Sequence, residues 1–431
     1  MMKYRIILTG MVIVSGYAIF ACSNDDGTNP NPTITADSGA DTGSNNTGNF
    51  KAFTKPQDPG GGGILFTASG EALALTGFTF PPTSDTYMVD GWQFTLDGYY
   101  AVFDHVKLWD NPNKNPNKQS EHGDQVAHVD GPWVVDLHKS GDRIGAAGGD
   151  ERAATVAAIS KMDNGSSFST DVTYGFGFST VPAPADRSTV YNVNLDDSQS
   201  ADYDYMAQNG YSVLYVGTAT FKGGTGQTTC TSSDPGGTDG GVYDYSTWPK
   251  TIRFRLGFNT PTNYVNCQNG TDLQGPGVNG EEHPRGIQVK NSASVGAQVT
   301  IHMDHPFWES FAEDSPLHFD QIAAQYAGVS GTPEAHIEDL KGVNFSALTD
   351  KLGKPIPWRN CAGNQYTPPG NGQMYLNPLS VPVNPNATDA SQALRDLYDY
   401  IRYTQATQGH LNSQGLCYVD RQYPSPAGGS N

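Results

Sequence analysis

The stretch MVDGWQFTLDGYYAVFDHVKLWD, residues 88–110, decides the fold class. Aromatic and β-branched residues fill it, and alternation puts Trp92, Phe94 and Leu96 on one face, the period of a half-buried strand. VAHVDGPWVVDLHK (126–139) continues the pattern. Upstream, ILFTASGEALALTGFTF (64–80) reads as strand, with Glu71 a lone charge in an apolar context. Downstream strand candidates are SSFSTDVTYGFGFST (166–180), STVYNVNL (188–195), YSVLYVGTATFK (211–222), TIRFRLGF (251–258) and GIQVKNSASVGAQVTIHMD (286–304).

Helical patterns are few and irregularly placed. They are DERAATVAAISKM (150–162), DDSQSADYDYMAQNG (196–210), a segment from Pro306 to Ala327, and ATDASQALRDLYDYIRY (387–403). Many short strands separated by Gly, Pro and Asp turns, with helices inserted, predict a mainly β protein. The expected architecture is a β-sandwich, immunoglobulin-like or jelly-roll-like, with short helices and a disulfide-stapled C-terminal extension. A parallel α/β sheet is disfavoured, and no 20- to 50-residue repeat suggests a propeller or solenoid.

Composition agrees. Fifty glycines and 28 prolines break helices, while 22 tyrosines, 18 phenylalanines and 6 tryptophans suit pleated surfaces. Twenty-five basic residues against 44 acidic ones give a formal charge of -19. That charge repels phosphate backbones and excludes nucleic-acid binding.

The first 22 residues, MMKYRIILTGMVIVSGYAIFAC, place Lys3 and Arg5 before an uncharged run that ends at Cys22. The run is shorter than the roughly 20 residues of a membrane-crossing helix. It resembles the signal peptide and lipobox of bacterial lipoproteins, with Phe20 a departure from the usual small residue. Cleavage would leave Cys22 acylated, the lipid holding the protein to a membrane. The following SNDDGTNPNPTITADSGADTGSNNTGN (23–49) has almost nothing to bury and reads as a tether. The expected organisation is a signal peptide over 1–21, a lipidated tether over 22–50, a sandwich over 51–330 and a C-terminal extension over 331–431. The expected location is the outer membrane, facing the periplasm or the cell surface.

Besides Cys22 the chain has Cys230, Cys267, Cys361 and Cys417, an even number in an oxidising compartment. Two disulfides are expected. Proximity in sequence favours Cys230 with Cys267 and Cys361 with Cys417.

Nucleophile elbows, phosphate loops, dinucleotide fingerprints, zincin motifs and haem-attachment motifs are all missing from the sequence. The densest chemistry is VTIHMDHPFWESFAEDSPLHFDQ, residues 299–321. Strand alternation puts Gln298, Thr300, His302 and Asp304 on a polar face. His305 before Pro306 is biased toward extended backbone, and Pro306 opens a turn that carries Glu309. Ser315 and Pro316 read as a helix start, which would keep His318 neutral in the first turn, with Asp320 just beyond. Neutral imidazoles bind metal. His302, His305, His318, Asp304, Glu309 and Asp320 are therefore the candidate ligands, a donor set that suits copper or zinc. Read structurally, Phe307, Trp308, Phe311 and Phe319 would dock the same segment on the core.

A second cluster comprises Glu71, His105, His128, Asp130, Asp136 and His138, with Asp104 beside His105; His128/Asp130 and Asp136/His138 each share a strand face. The loops DNPNKNPNKQSEHGD (110–124) and SSDPGGTDGGVYDY (232–245) are rich enough in oxygen for calcium.

Residues 88–110 followed by GPWVVDLHK (131–139) resemble strands of the copper-associated periplasmic proteins related to the methanobactin partner MbnP. The resemblance implies a β-sandwich that binds copper or another transition metal outside the cytoplasm. The leading expectation is a cell-envelope metal-binding lipoprotein, its partners the membrane and an envelope protein. The alternatives are a non-enzymatic surface binder of glycan or protein, and a metallohydrolase with Glu309 or Glu313 as base.

Overall fold

The computed structural model describes residues 50–84, 86–170, 172–223, 230–233, 243–271, 275–309, 315–344, 348–356, 358–362 and 394–423. The signal peptide, Cys22, most of the tether, Phe311 and Glu313 lie outside the described residues. Among the described residues no helix is long and apolar enough to cross a membrane.

The described residues form a mainly β sandwich of two large sheets, with a separate two-stranded sheet of Thr231–Ser233 and Trp358–Asn360. The larger is built on Trp92–Trp109, an 18-residue strand flanked by Val213–Phe221 and Thr173–Thr180. Thr251–Phe258 and Glu334–Ala335 extend one side, and Thr262–Val265 with Tyr418–Arg421 the other. The smaller sheet runs in the order Gly415–Leu416, Gly409–Leu411, Val295–Ile301, Ile64–Ser69, Arg152–Ile159, Arg143–Ile144. Residues 394–423 are thus woven into both sheets.

The expected alternation holds: Trp92, Phe94 and Leu96 all face the shared core. Phe94 meets the rings of Phe78, Phe254, Phe307 and Phe319 at centroid distances of 5.0–5.4 Å. Phe307 and Phe319 thereby dock the segments on either side of residues 310–314 against the larger sheet, each burial contributing roughly 1.5–3 kcal/mol. From the smaller sheet, Phe66 reaches Phe103, Trp133 and Phe176.

Three local expectations are corrected. Residues 150–162 form a strand, Arg152–Ile159, instead of a helix. Its alanines pair with Ile64–Ser69 in the buried middle of a sheet, where tertiary pairing overrides alanine's helix propensity. The stretch 64–80 is not continuous strand. It is strand only to Ser69, and helix Glu71–Thr76 follows. Ser315-Pro316 does not open a helix either. Leu317 makes isolated bridges with Met88 and Trp308, so helix starts only at Asp320–Ala323. Helix Ser200–Asn209 stands where expected, and Leu397–Gln405 forms the later part of the 387–403 pattern.

Two disulfides are present, but their pairing is Cys230–Cys361 and Cys267–Cys417. Strand register, not sequence proximity, decides it. Thr231 pairs with Asn360, so Cys230 and Cys361 are next in line, and Val265 pairs with Tyr418 beside Cys267 and Cys417. Each bridge closes 131 or 150 residues, a loop entropy of about 5 kcal/mol.

Candidate metal centre

Parallel pairing builds the site. Ile64–Ser69 and Val295–Ile301 run side by side with Ser69 opposite Thr300, so the chain two residues farther on brings out Glu71 and His302 together. The gap between Glu71 Oε1 and His302 Nε2 is 3.2 Å. On the other side of Val295–Ile301, Gly409–Leu411 pairs antiparallel and sets His410 opposite Thr300. Gly409 has no room for a side chain: a Cβ there would lie 2.5 Å from the Tyr264 ring.

His305 opens the 3-10 turn His305–Phe307, with Pro306 in its first turn. The turn therefore begins one residue before the proline, and His305 is not extended. It returns the His305 ring to within 5.5 Å of His302 and 5.6 Å of His410, while His302 and His410 stand 4.1 Å apart. Donor atoms of His302, Asp304 and His305 all lie within 4.8 Å of one another. Trp308 stacks on His305 at 3.8 Å and donates from Nε1 to Asp304 (3.1 Å). Beneath, the stacked hydroxyls of Tyr99 and Tyr215 both donate to Gln408 Oε1, at 3.3 and 2.7 Å.

Hydrogen bonds assign protons. Thr407 gives its hydroxyl proton to the Thr404 carbonyl (2.7 Å), so its oxygen accepts from His305 Nδ1 at 2.7 Å. Nε2 of His305 then keeps its lone pair. Nε2 of His302 faces the Ser413 carbonyl and the Glu71 carboxylate, both at 3.2 Å, and carries a proton that a cation there would replace. Both ring nitrogens of His410 are buried, and the backbone of Ser413 and Thr407 bonds the ring. Burial, reinforced by His302, holds His305 and His410 well below the usual histidine value, so both rings are neutral near pH 7. Burial also raises Glu71, opposed by His302 and assisted by Glu151 and Asp304. Glu71 sits at φ +60, a left-handed conformation that costs a residue with a Cβ roughly 1–2 kcal/mol. Such strain collects at functional sites.

His318 does not join this group and is not held neutral. It is fully buried, with Nε2 3.2 Å from Glu309 and Nδ1 3.7 Å from Asp90. Burial alone would favour the neutral ring, but the hydrogen bonds and charges of Asp90 and Glu309 outweigh it and push His318 up to about 9. Asp320 is likewise spent, held by the Arg359 guanidinium and by Trp92 Nε1 at 2.7 Å.

The second expected cluster divides in three. Glu71 belongs to the centre above. His105, His128 and Asp130 do converge, together with Asp104 and Asp163, on the surface. Asp136 is buried and accepts from the backbone of Tyr99 and His138 and from Gln199. Nδ1 of His138 pairs with the Ala74 carbonyl. In the loop 110–124 the carbonyls of Pro112, Asn115 and Pro116 receive the buried Arg285 guanidinium at 3.1–3.3 Å, a cation supplied by the chain itself. The loop 232–245 falls largely outside the described residues.

The sequence reading missed His410. Its only local signal is a histidine in the strand-like GHL (409–411), and only register brings it to His302. His302, His305 and Asp304 form a mixed nitrogen and oxygen set that fits Zn(II) or Cu(II), with Glu71 and His410 at its edge. No protein-family model matches the chain, and neither a curated protein nor a solved structure matches it either.

Proposed function

We propose that this chain binds a transition metal, copper or zinc, through His302, Asp304 and His305, with Glu71 and His410 bordering the group. The observation that carries the reading is the group His302, Asp304 and His305, whose donor atoms lie within 4.8 Å of one another, with the buried, neutral ring of His410 packed against both histidines. The Thr407 bond that fixes the His305 tautomer supports the same reading, because metal-ligating histidines are commonly held through their other nitrogen. We further propose that the protein works at the cell envelope as an outer-membrane lipoprotein anchored through Cys22. Its role would be metal acquisition or storage.

The test is elemental mass spectrometry of the full chain, exported to an oxidising compartment and purified without a histidine tag. Near one tightly held equivalent of copper or zinc per chain, retained through desalting and lost in His302→Ala and His305→Ala, is expected. A folded protein that takes up neither metal at micromolar concentration, or keeps the tightly held equivalent through desalting in both variants, overturns the reading.

A further inference from the structure

A second constellation lies at a kink in the longest strand. Asp104 and His105 are consecutive, and in regular strand they would point to opposite faces. Here the pairing of Trp92–Trp109 with Thr173–Thr180 slips between Asp104 and Lys107, and His105 takes φ +49. A bulge of this kind re-aims a side chain. Asp104 Oδ1 then stands 3.5 Å from His105 Nδ1, and Asp130 Oδ1 stands 3.0 Å from the same nitrogen. The neighbouring strand Gln125–Val129 supplies His128, opposite Lys107. Donor atoms of Asp104, His105 and Asp130 lie within 4.8 Å of one another.

The role of Asp163 separates this group from an ordinary patch of surface charge. It holds His128 twice, accepting from the backbone N–H (3.1 Å) and from Nδ1 (2.9 Å). In the neutral ring that bond fixes the proton on Nδ1 and leaves the lone pair on Nε2. Nε2 faces Asp130 Oδ2 at 3.8 Å, too far for a hydrogen bond. Two donors around a tetrahedral ion with bonds of about 2.0–2.2 Å stand roughly 3.3–3.6 Å apart. The gap is therefore close to the size of a cation. A carboxylate on the far nitrogen of an imidazole is also the arrangement that orients histidines at metal sites.

We propose that Asp104, His105 and Asp130 form the core of a surface site for a divalent cation of the Zn(II) class, with His128, positioned by Asp163, closing on it as a further ligand. The donor set, two imidazoles and two carboxylates, matches a borderline ion better than calcium or magnesium, which take oxygen alone. The site is open: His105 is 48% exposed and Asp130 53%. Solvent therefore reaches the ion, and exchange is fast compared with the buried centre. This proposal stands independently of the function assigned to His302 and His305.

The probe is Zn(II), titrated by calorimetry into the full chain carrying His302→Ala and His305→Ala, so that the buried centre is silent. One equivalent is expected to remain. It should disappear when His105→Ala and His128→Ala are added, with the near-ultraviolet circular dichroism of the folded chain retained. Asp163→Asn should keep the stoichiometry and weaken binding 10- to 100-fold, the usual effect of losing an orienting carboxylate. Absence of any zinc heat in the silenced background overturns the site, as does an equivalent that survives loss of both histidines. Unchanged affinity in Asp163→Asn overturns the positioning role. A parent chain that binds two equivalents and keeps one after His302→Ala and His305→Ala supports both sites, so failure of either is read separately.

Discussion

His305 and His318 lie thirteen residues apart in one segment, both with almost no solvent exposure, yet their environments make them opposite in charge. His305 is surrounded by a tryptophan face, a threonine hydroxyl and two further imidazoles, and burial leaves it neutral. His318 is clamped between Asp90 and Glu309, and two carboxylates make it an imidazolium. A neutral ring is a ligand; a doubly paired imidazolium is a strut. The difference separates the part of residues 299–321 proposed to hold metal from the part that holds the sandwich together.

The sharpest way to break this contrast is to exchange consequences. His305→Ala should abolish the tightly held equivalent of copper or zinc, measured on the desalted full chain, while leaving the melting curve nearly in place. His318→Ala should do the reverse. It strands two buried carboxylates without their cation, a change that costs about 3–5 kcal/mol of stability by denaturant titration. Chain that still folds in that variant should keep its metal. Loss of metal in His318→Ala at a concentration where the fold is intact would join the two regions again.

pH sharpens the same comparison with smaller effects. His318 has its folded value raised, to about 9, over an unfolded value near 6.5. Its stabilisation is complete below pH 6.5 and is lost as pH climbs through 9, on the order of 3 kcal/mol in all. His305 and His410 have depressed values, so the unfolded chain gains protons that the folded one refuses. Their effect lies on the acid side: stability falls below pH 6.5 by about 1.4 kcal/mol per pH unit for each ring. Unfolding free energy followed from pH 5 to 9 without added metal should therefore drop at both ends. His318→Gln should flatten the alkaline limb alone, and His410→Gln should soften the acid one. A His318→Gln variant with an unchanged alkaline limb would remove the imidazolium from the argument.

How much of this was legible in the sequence depended on range. Strands such as TIRFRLGF are written in local alternation, and Thr251–Phe258 forms as read. Residues 150–162 misled because alanine is a strong helix former, and only the partner Ile64–Ser69 makes Arg152–Ile159 a strand. His302, Asp304 and His305 stood out because they are close in sequence. Glu71 and His410 reach the same place through strand register, which composition does not carry. His318 was misjudged for the same reason, since Asp90, far earlier in the chain, decides its charge. The disulfides repeat the lesson, with register instead of proximity choosing partners.

The smallest predicted effect tests whether the neutral cluster is maintained for function at some cost to the fold. Glu71 is held at φ +60, and burial disfavours its charged form. Neither feature helps the sandwich. Glycine takes the left-handed region freely, which relieves about 1–2 kcal/mol of strain and loses about 0.5–1 kcal/mol in chain entropy. Glu71→Gly should therefore raise stability by about 0.5–1 kcal/mol, a few degrees or less in melting temperature, while metal affinity at His302 and His305 falls. Glu71→Gln separates the two causes: it keeps the strained backbone and removes the charge, so it should weaken metal without the glycine variant's relief of strain. A stability loss in Glu71→Gly would mean that the carboxylate supports the fold through His302. The ring of histidines would then be structural at its edge, and the contrast with His318 would shrink to one of charge alone.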